Sequence, residues 1–378
     1  GARTFFPSAG RHSLRADTRD LRLHCRGRPL EPLAGIPASE AVSQPHPSPS
    51  LRSALERPAQ GCTVKSRTLQ RRRKHLWIAM TSNLENGLST SPFVQDEMPK
   101  LYDEGRDYDR EATAGLLKTW QATFFTCSSG SDASEHQYLD VGCGPGNFSR
   151  NYLLPTCPPT LKRLVASDIS KAMIDYAKKV HAHPKIKYRV LDITMDDQVT
   201  KFISEEGRFQ RVYSFLAFHW IGDKSAALRN VERLMTPGGE CLVVFTPYPG
   251  PAQINQALLD SDAWAKYRDI LKASMLPFSK PSDTVGMRRS LADLVSSTGL
   301  VPLSCELVRV TIASKHIDDA VRLFTVGNAI YPYLTEQEKP EMEKFIKNIL
   351  LQGGCFNFSS SGTTQQLRYV FHGYKPQI

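Results

Sequence analysis

The stretch Leu139–Ser149, LDVGCGPGNFS, decides how the rest of this 378-residue chain is read. An apolar run closes in three glycines at alternate positions, and a helix-compatible segment follows. That is the pattern of a strand–loop–helix turn that brings bare backbone against a ligand. A dinucleotide loop needs GxGxxG after an apolar strand, whereas Gly142, Gly144 and Gly146 give GxGxG, and Asp140 stands inside the strand. A phosphate loop of the P-loop type needs Gly-Lys-Ser/Thr, but Asn147 and Phe148 follow Gly146.

A cofactor without a pyrophosphate survives this elimination, and S-adenosylmethionine (SAM) fits its parts. Asp140 is placed to hold an ammonium directly or through water. Gly142, Gly144 and Gly146 leave room for the methionine and ribose, and Cys143 reads as a small side chain in a tight loop rather than a reactive one. Two further strand ends carry carboxylates. Asp168 closes LVASD, beside Ile169, where a ribose diol would lie, and Asp192 closes VLD, beside Ile193, where an adenine amino group would lie. Taken singly, Asp168 also suits NAD or a helix N-cap, and Asp192 a turn; three carboxylates at successive strand ends are the stronger signal.

Outward from this turn the chain alternates strands and helices. YLDVG, LKRLVASD, IKYRVLDI, RVYSFLAFHWI (211–221) and the run after TPGG read as five strands. Ser170 and Asp223 cap the helices after the second and fourth, and the helix from Ser170 presents Met173, Ile174, Ala177 and Val180. Short loops between such elements imply right-handed crossovers and a parallel sheet covered on both faces. The C-terminal third differs. It is mostly helical over 251–298 and 316–352, with Glu338 in capping-box position after Thr335, and it adds strands near VPLSCELVRVTIA and LRYVFHGY. The expected fold is therefore α/β, a Rossmann-like seven-stranded, mostly parallel sheet with helices on both faces and an added helical cap.

Charge is unevenly spread. Residues 1–79 hold 13 Arg and 2 Lys against 5 acidic residues, and so account for the whole formal charge of +10; the remainder is neutral. This removes the usual inference from a basic protein to a nucleic-acid partner. The segment 1–79 reads as disordered and basic: a transit peptide, a binding tail, or translated upstream sequence with Met80 as the start. Eight cysteines without a CxxC pair or zinc spacing suggest reduced thiols in a cytoplasmic protein, mitochondrial only if 1–79 is a genuine presequence. There is no apolar run long enough for a membrane helix.

LDVGCGPGNFS, SDIS, VLDI and TPGG together resemble the motifs of class I SAM-dependent methyltransferases, over roughly residues 98–378. FHWI at the fourth strand and KLYDEGRDYDREATAGLL (100–117) further resemble the arthropod juvenile hormone acid methyltransferase family. The resemblance implies methyl transfer to the carboxylate of a farnesoic or juvenile hormone acid, with Leu216 at the cofactor and Trp220 holding the substrate carboxylate. That family has a Gln where this chain has Asp109, with six residues between it and Leu101-Tyr102. A second carboxylate there repels an acid unless one is protonated, so Asp109 leaves an amine, an alcohol or an otherwise neutral acceptor open. An alcohol or phenol acceptor needs a base, for which His219 is the candidate; a carboxylate needs none. A binding protein of this fold without transferase activity is the remaining alternative. Trp264, Tyr267, Leu271, Met275, Phe278, Phe324, Ile330, Tyr331 and Tyr333 read either as the cover of a pocket for an apolar tail or as core.

Overall fold

The computed structural model describes residues 98–125, 135–275, 283–313, 317–352 and 363–377. All of them fall in the compact unit Gly61–Ile378. The expectations for residues 1–79, and that for Phe278, lie outside the described residues.

Seven strands form one sheet in the order β3-β2-β1-β4-β5-β7-β6. They are β1 (Gln137–Val141), β2 (Arg163–Asp168), β3 (Ile186–Val190), β4 (Phe209–Phe215), β5 (Met235–Phe245), β6 (Val301–Ala313) and β7 (Thr363–Tyr374). The first five pair in parallel, while β7 runs antiparallel to both β5 and β6. This is the expected mostly parallel sheet. Between β1 and β4 the direction of winding reverses, and in such sheets that reversal opens a crevice at the C-terminal strand ends.

Burial explains why these runs are strands. All of β1 is buried, as are the four middle residues of β2, because helices cover both faces. One core face includes Leu139, Val165, Val212 and Val243; the other includes Tyr138, Leu164, Tyr213 and Leu242. The covering helices begin where their caps place them. Ser170 accepts from the Met173 amide at the start of α3 (Lys171–Val180), and Asp223 accepts from the Ala226 amide at the start of α5 (Lys224–Leu234). Before α10 (Glu338–Gln352), Glu338 accepts from the Thr335 amide at 2.9 Å and Thr335 accepts from the Glu338 amide at 3.3 Å, the reciprocal capping box. The other helices are α1 (Met98–Gly105), α2 (Asp107–Gln121), α4 (Asp196–Glu206), α6 (Gly250–Asp260), α7 (Arg268–Ser274), α8 (Thr284–Ser296) and α9 (Ile317–Val326).

Three expectations are corrected. The apolar run 211–221 is not strand throughout: β4 stops at Phe215, Leu216 turns the chain with φ +55°, and Phe218–Trp220 is a single tight helical turn. Val180 is exposed rather than packed, because α3 ends there and His181 caps it. Finally, α8 lies within the expected cap segment but packs on the sheet, where Leu291 and Val295 join the core face of Leu139.

The cap proper has its own core. Trp264, Tyr267, Leu271, Phe324 and Ile330 pack with Ile254, Leu258, Met342 and Ile346, and Tyr331 lies against them. One edge of this body braces α1: Met98 and Leu101 pack on Leu323 and Val326. At that contact a Cβ on Gly105 would sit 3.1 Å from the Leu323 Cβ, so a side chain there would make α9 give by a few tenths of an ångström.

Candidate active site

A cavity lies at the C-terminal ends of β1, β2, β3 and β4, under α1 and α2. Its walls include Gly142, Cys143, Gly144, Asp168, Ile169, Asp192, Ile193, Leu216 and Trp220 from the strand ends, and Tyr102, Arg106, Asp109, Arg110 and Thr113 from the helices. The structure thus gathers most of the sequence candidates in one place. Of the candidate cofactor and catalytic residues, Asp140, Gly146 and His219 do not line it.

The glycine loop is built for the protein as much as for a ligand. Gly142 has φ +77°, and a Cβ there would lie 2.2 Å from the Ala217 Cβ, so the ends of β1 and β4 approach only without a side chain. Gly146 has φ +88°, and its Cβ would meet Ala177 and the Tyr188 ring at 2.8–2.9 Å. Gly142 and Gly144 both line the cavity, and of the three only Gly144 has room for a side chain, with nothing nearer its Cβ position than Tyr102 at 3.8 Å. The expectation that all three glycines make room for a cofactor is corrected at Gly146, which is absent from the cavity walls.

Asp140 is also relocated. Its side chain is buried behind the loop and accepts from the Ser149 hydroxyl at 2.6 Å. Burial pushes its carboxyl up to about 7, the Ser149 hydrogen bond opposes this, and Asp168 adds a smaller push in the same direction. Asp168 does line the cavity. It accepts from the Gly144 amide at 2.9 Å and the Ser170 amide at 2.8 Å, so it fixes the loop and the start of α3 together. Burial raises its carboxyl, against these two donors. Asp192 is held by the amide and hydroxyl of Thr194 at 2.9 and 2.7 Å, and burial raises it also. The Cys143 thiol is pushed far up by burial and by the neighbouring Asp168 and Asp140, which leaves it an inert thiol.

These walls fit the expected cofactor. Two carboxylates at the ends of β2 and β3 suit hydroxyl and amino donors, and Ile169, Met173, Leu191 and Ile193 supply an apolar slot between them. The loop contributes no cation, which a pyrophosphate would call for. Leu216 is the one non-glycine residue with positive φ among the described residues, and it lies on the cavity wall at the end of β4. Backbone held in that region costs about 1–3 kcal/mol and concentrates at functional sites.

The other end of the cavity is where the sequence misleads. Asp109 lines it, but its carboxylate is already claimed: Arg368 of β7 donates to Oδ1 at 2.6 Å and Arg106 to Oδ2 at 2.9 Å. Burial would raise this carboxyl, yet Arg368, Arg106 and Arg110 more than offset it and hold the group below the usual carboxylate range. Arg110 donates to the Asp103 carboxylate at 2.9 Å and also to its backbone oxygen. Asp103 in turn meets His181 Nε2 at 2.7 Å and accepts from the Tyr176 hydroxyl at 3.2 Å, which ties α1 to α3. Arg106 and Arg368 are functional candidates that sequence alone missed. Arg106 stands at i, i+3 to Asp109 and was in principle findable; Arg368 carries no local signal.

His219 is buried outside the cavity, and its Nδ1 has no hydrogen-bond partner. Burial, then the fields of Arg106, Arg368 and Lys224, hold it well below the usual imidazole value. His219 does not line the cavity, so it is not placed there to act as the base. The expected pocket-cover residues are corrected too. Trp264, Tyr267, Leu271, Met275, Phe324, Ile330, Tyr331 and Tyr333 are absent from the cavity walls: Tyr333 faces outward, and the others except Met275 serve the cap's own core.

Residues 139–243 match the model of a methyltransferase domain. The chain is 27% identical over 255 residues to the juvenile hormone acid O-methyltransferase of Drosophila melanogaster, covering 66% of this chain and 80% of that protein. It is 30% identical over 145 residues to the Bombyx mori enzyme of the same name, 38% of this chain and 50% of that protein. A malonyl-[acyl-carrier protein] O-methyltransferase of Legionella pneumophila is 28% identical over 156 residues, 41% of this chain and 51% of that protein.

Together with the sheet order and the cavity, these matches make the chain a class I SAM-dependent methyltransferase. Within that class it resembles the juvenile hormone acid methyltransferases. No helix among the described residues is long and apolar enough to cross a membrane.

Proposed function

We propose that this protein methylates the carboxylate of an apolar acid, terpenoid or fatty, of the juvenile-hormone-acid type. The observation that carries this reading is the paired state of Asp109. Its charge is met by Arg368 and Arg106, so it neither repels an acid as a bare carboxylate would nor offers itself to an amine. The position of His219 supports the same reading, since an alcohol acceptor needs a base at the cavity and a carboxylate does not.

Gly144, Asp168, Ile169, Asp192, Ile193 and Leu216 would hold SAM, whose bound sulfonium supplies an already activated methyl group. The chain's own work is then alignment and exclusion of water. Trp220, in the turn that follows β4, lines the cavity, and α1 and α2 close it from above. The resemblance to enzymes named for juvenile hormone acid supports an acid of that class as substrate. The test is a panel of fatty, terpenoid and dicarboxylic acids with radiolabelled SAM. Label in the ester of an apolar monoacid is expected; a silent panel with SAM binding intact removes the proposal.

A further inference from the structure

The acceptor end of the cavity has a charge arrangement that the paired carboxylate alone does not explain. One carboxylate, that of Asp109, is shared by two guanidiniums. The two are not equivalent. Arg368 is 1% exposed and absent from the cavity walls, so it serves as the buried counter-charge. Arg106 lines the cavity, with its side chain 12% exposed.

Arg106 sits at the joint between α1 and α2, where its backbone leaves the helical region, and its guanidinium lies 5.4 Å from the centre of the Tyr102 ring, another wall residue. Its orientation is therefore set by Asp109 on one side and an aromatic face on the other. The field of Arg106 reaches His219, the neighbour of Trp220 in the chain, and Arg106 and Trp220 line the same cavity. The third guanidinium, Arg110, also lines the cavity but is committed to the side chain and backbone of Asp103.

We infer that Arg106 is the residue that recognises the acceptor's carboxylate, and that Asp109 and Arg368 are positioning residues that hold its guanidinium toward the cavity. This inference rests on the carboxylate reading given above. A guanidinium is a planar fork that matches a carboxylate through two parallel N–H bonds, and it stays charged at any working pH. The residue that looked like an obstacle to an acid thereby becomes the fixture for the group that binds it. The arrangement also selects: a neutral ester or amide of the same tail gains nothing from the cation, so the methylated product is released more readily than the acid.

The experiment uses the full chain and two probes of one tail, farnesoate and its neutral primary amide, with SAM affinity measured beside them by calorimetry. In Arg106→Gln the dissociation constant of farnesoate is expected to rise roughly 10- to 100-fold, the range of a lost charge-assisted pair. The constants for the amide and for SAM should stay within about two-fold, and Arg106→Lys should recover part of the loss. Asp109→Asn should raise KM for farnesoate more than it lowers kcat. A fall in SAM affinity in Arg106→Gln would mean that the guanidinium holds the cofactor's own carboxylate, and would overturn the inference. Equal losses for acid and amide would overturn it as well. Turnover of farnesoate that is indifferent to Arg106→Gln defeats this inference and leaves the carboxylate reading standing, whereas a wild-type chain that binds SAM but no acid defeats both.

Discussion

Gly142→Ala separates the structural work of the glycine loop from its ligand-facing work. The new Cβ would stand 2.2 Å from the Ala217 Cβ, where ordinary contact begins at 3.4 Å, so the ends of β1 and β4 must part by about 1.2 Å. Overpacking of this kind costs about 1–3 kcal/mol, and φ +77° in a residue with a Cβ adds about 1–2 kcal/mol. The expected loss is therefore about 2–5 kcal/mol. Gly144→Ala bears the conformational cost without the clash, since nothing lies closer than 3.8 Å, and should lose about 1–2 kcal/mol. Urea unfolding with matched slopes measures both. Adding Ala217→Gly to Gly142→Ala should restore the clash component and leave the φ component, a coupling of about 1–3 kcal/mol. If Gly142→Ala is no worse than Gly144→Ala, or if Ala217→Gly restores nothing, the account of the loop is wrong.

Two further outcomes follow from the titrating groups. Asp140 has a folded-state value of about 7 against 3.8 for the free group, so it contributes stability that is full below 3.8 and lost as pH rises through 7. Between pH 5 and 8 the cofactor-free wild type should lose about 3 kcal/mol relative to Asp140→Asn; urea midpoints at the two pH values check this, and a pH-independent gap contradicts it. His219→Phe should leave kcat within a few-fold, since the imidazole does not line the cavity, and the pH profile unchanged, since it stays neutral through the working range. Collapse of turnover in a folded His219→Phe protein would restore it as the base and point to a hydroxyl acceptor.

How much of this was legible in the sequence depends on the distance over which each feature is determined. The alternation of strands and helices, the Ser170 and Asp223 caps and the Thr335–Glu338 box are set within four residues, and they appear as read. So do the positions of Asp168, Ile169, Asp192 and Ile193, which follow from where strands end. The packing role of Gly142 and Gly146 was not legible because the atoms that forbid a side chain, in Ala217, Ala177 and Tyr188, lie elsewhere in the chain. Leu216 gave no warning of its positive φ, since leucine does not advertise that conformation as glycine would. Asp109 looked unpaired because its counter-charge enters from the last strand. The aromatic residues of the C-terminal third show the same limit: helical periodicity cannot say whether an apolar face meets a ligand or another helix.

The bridge between Asp109 and Arg368 also sets an order of assembly. Its two halves are 259 positions apart, so at usual rates of synthesis the acidic half waits roughly 10–50 s for its basic partner to be made. β1 to β5, with the glycine loop, can pair in sequence during that interval, but β7 must then insert between β5 and β6 to deliver Arg368. Such a long-range closure is slow by nature. The cofactor half of the cavity thus depends on early, nearby pairings, and the acceptor half on a late one. A chain lacking β7 would keep the motifs that mark it as a methyltransferase and lose the means to fix its acceptor.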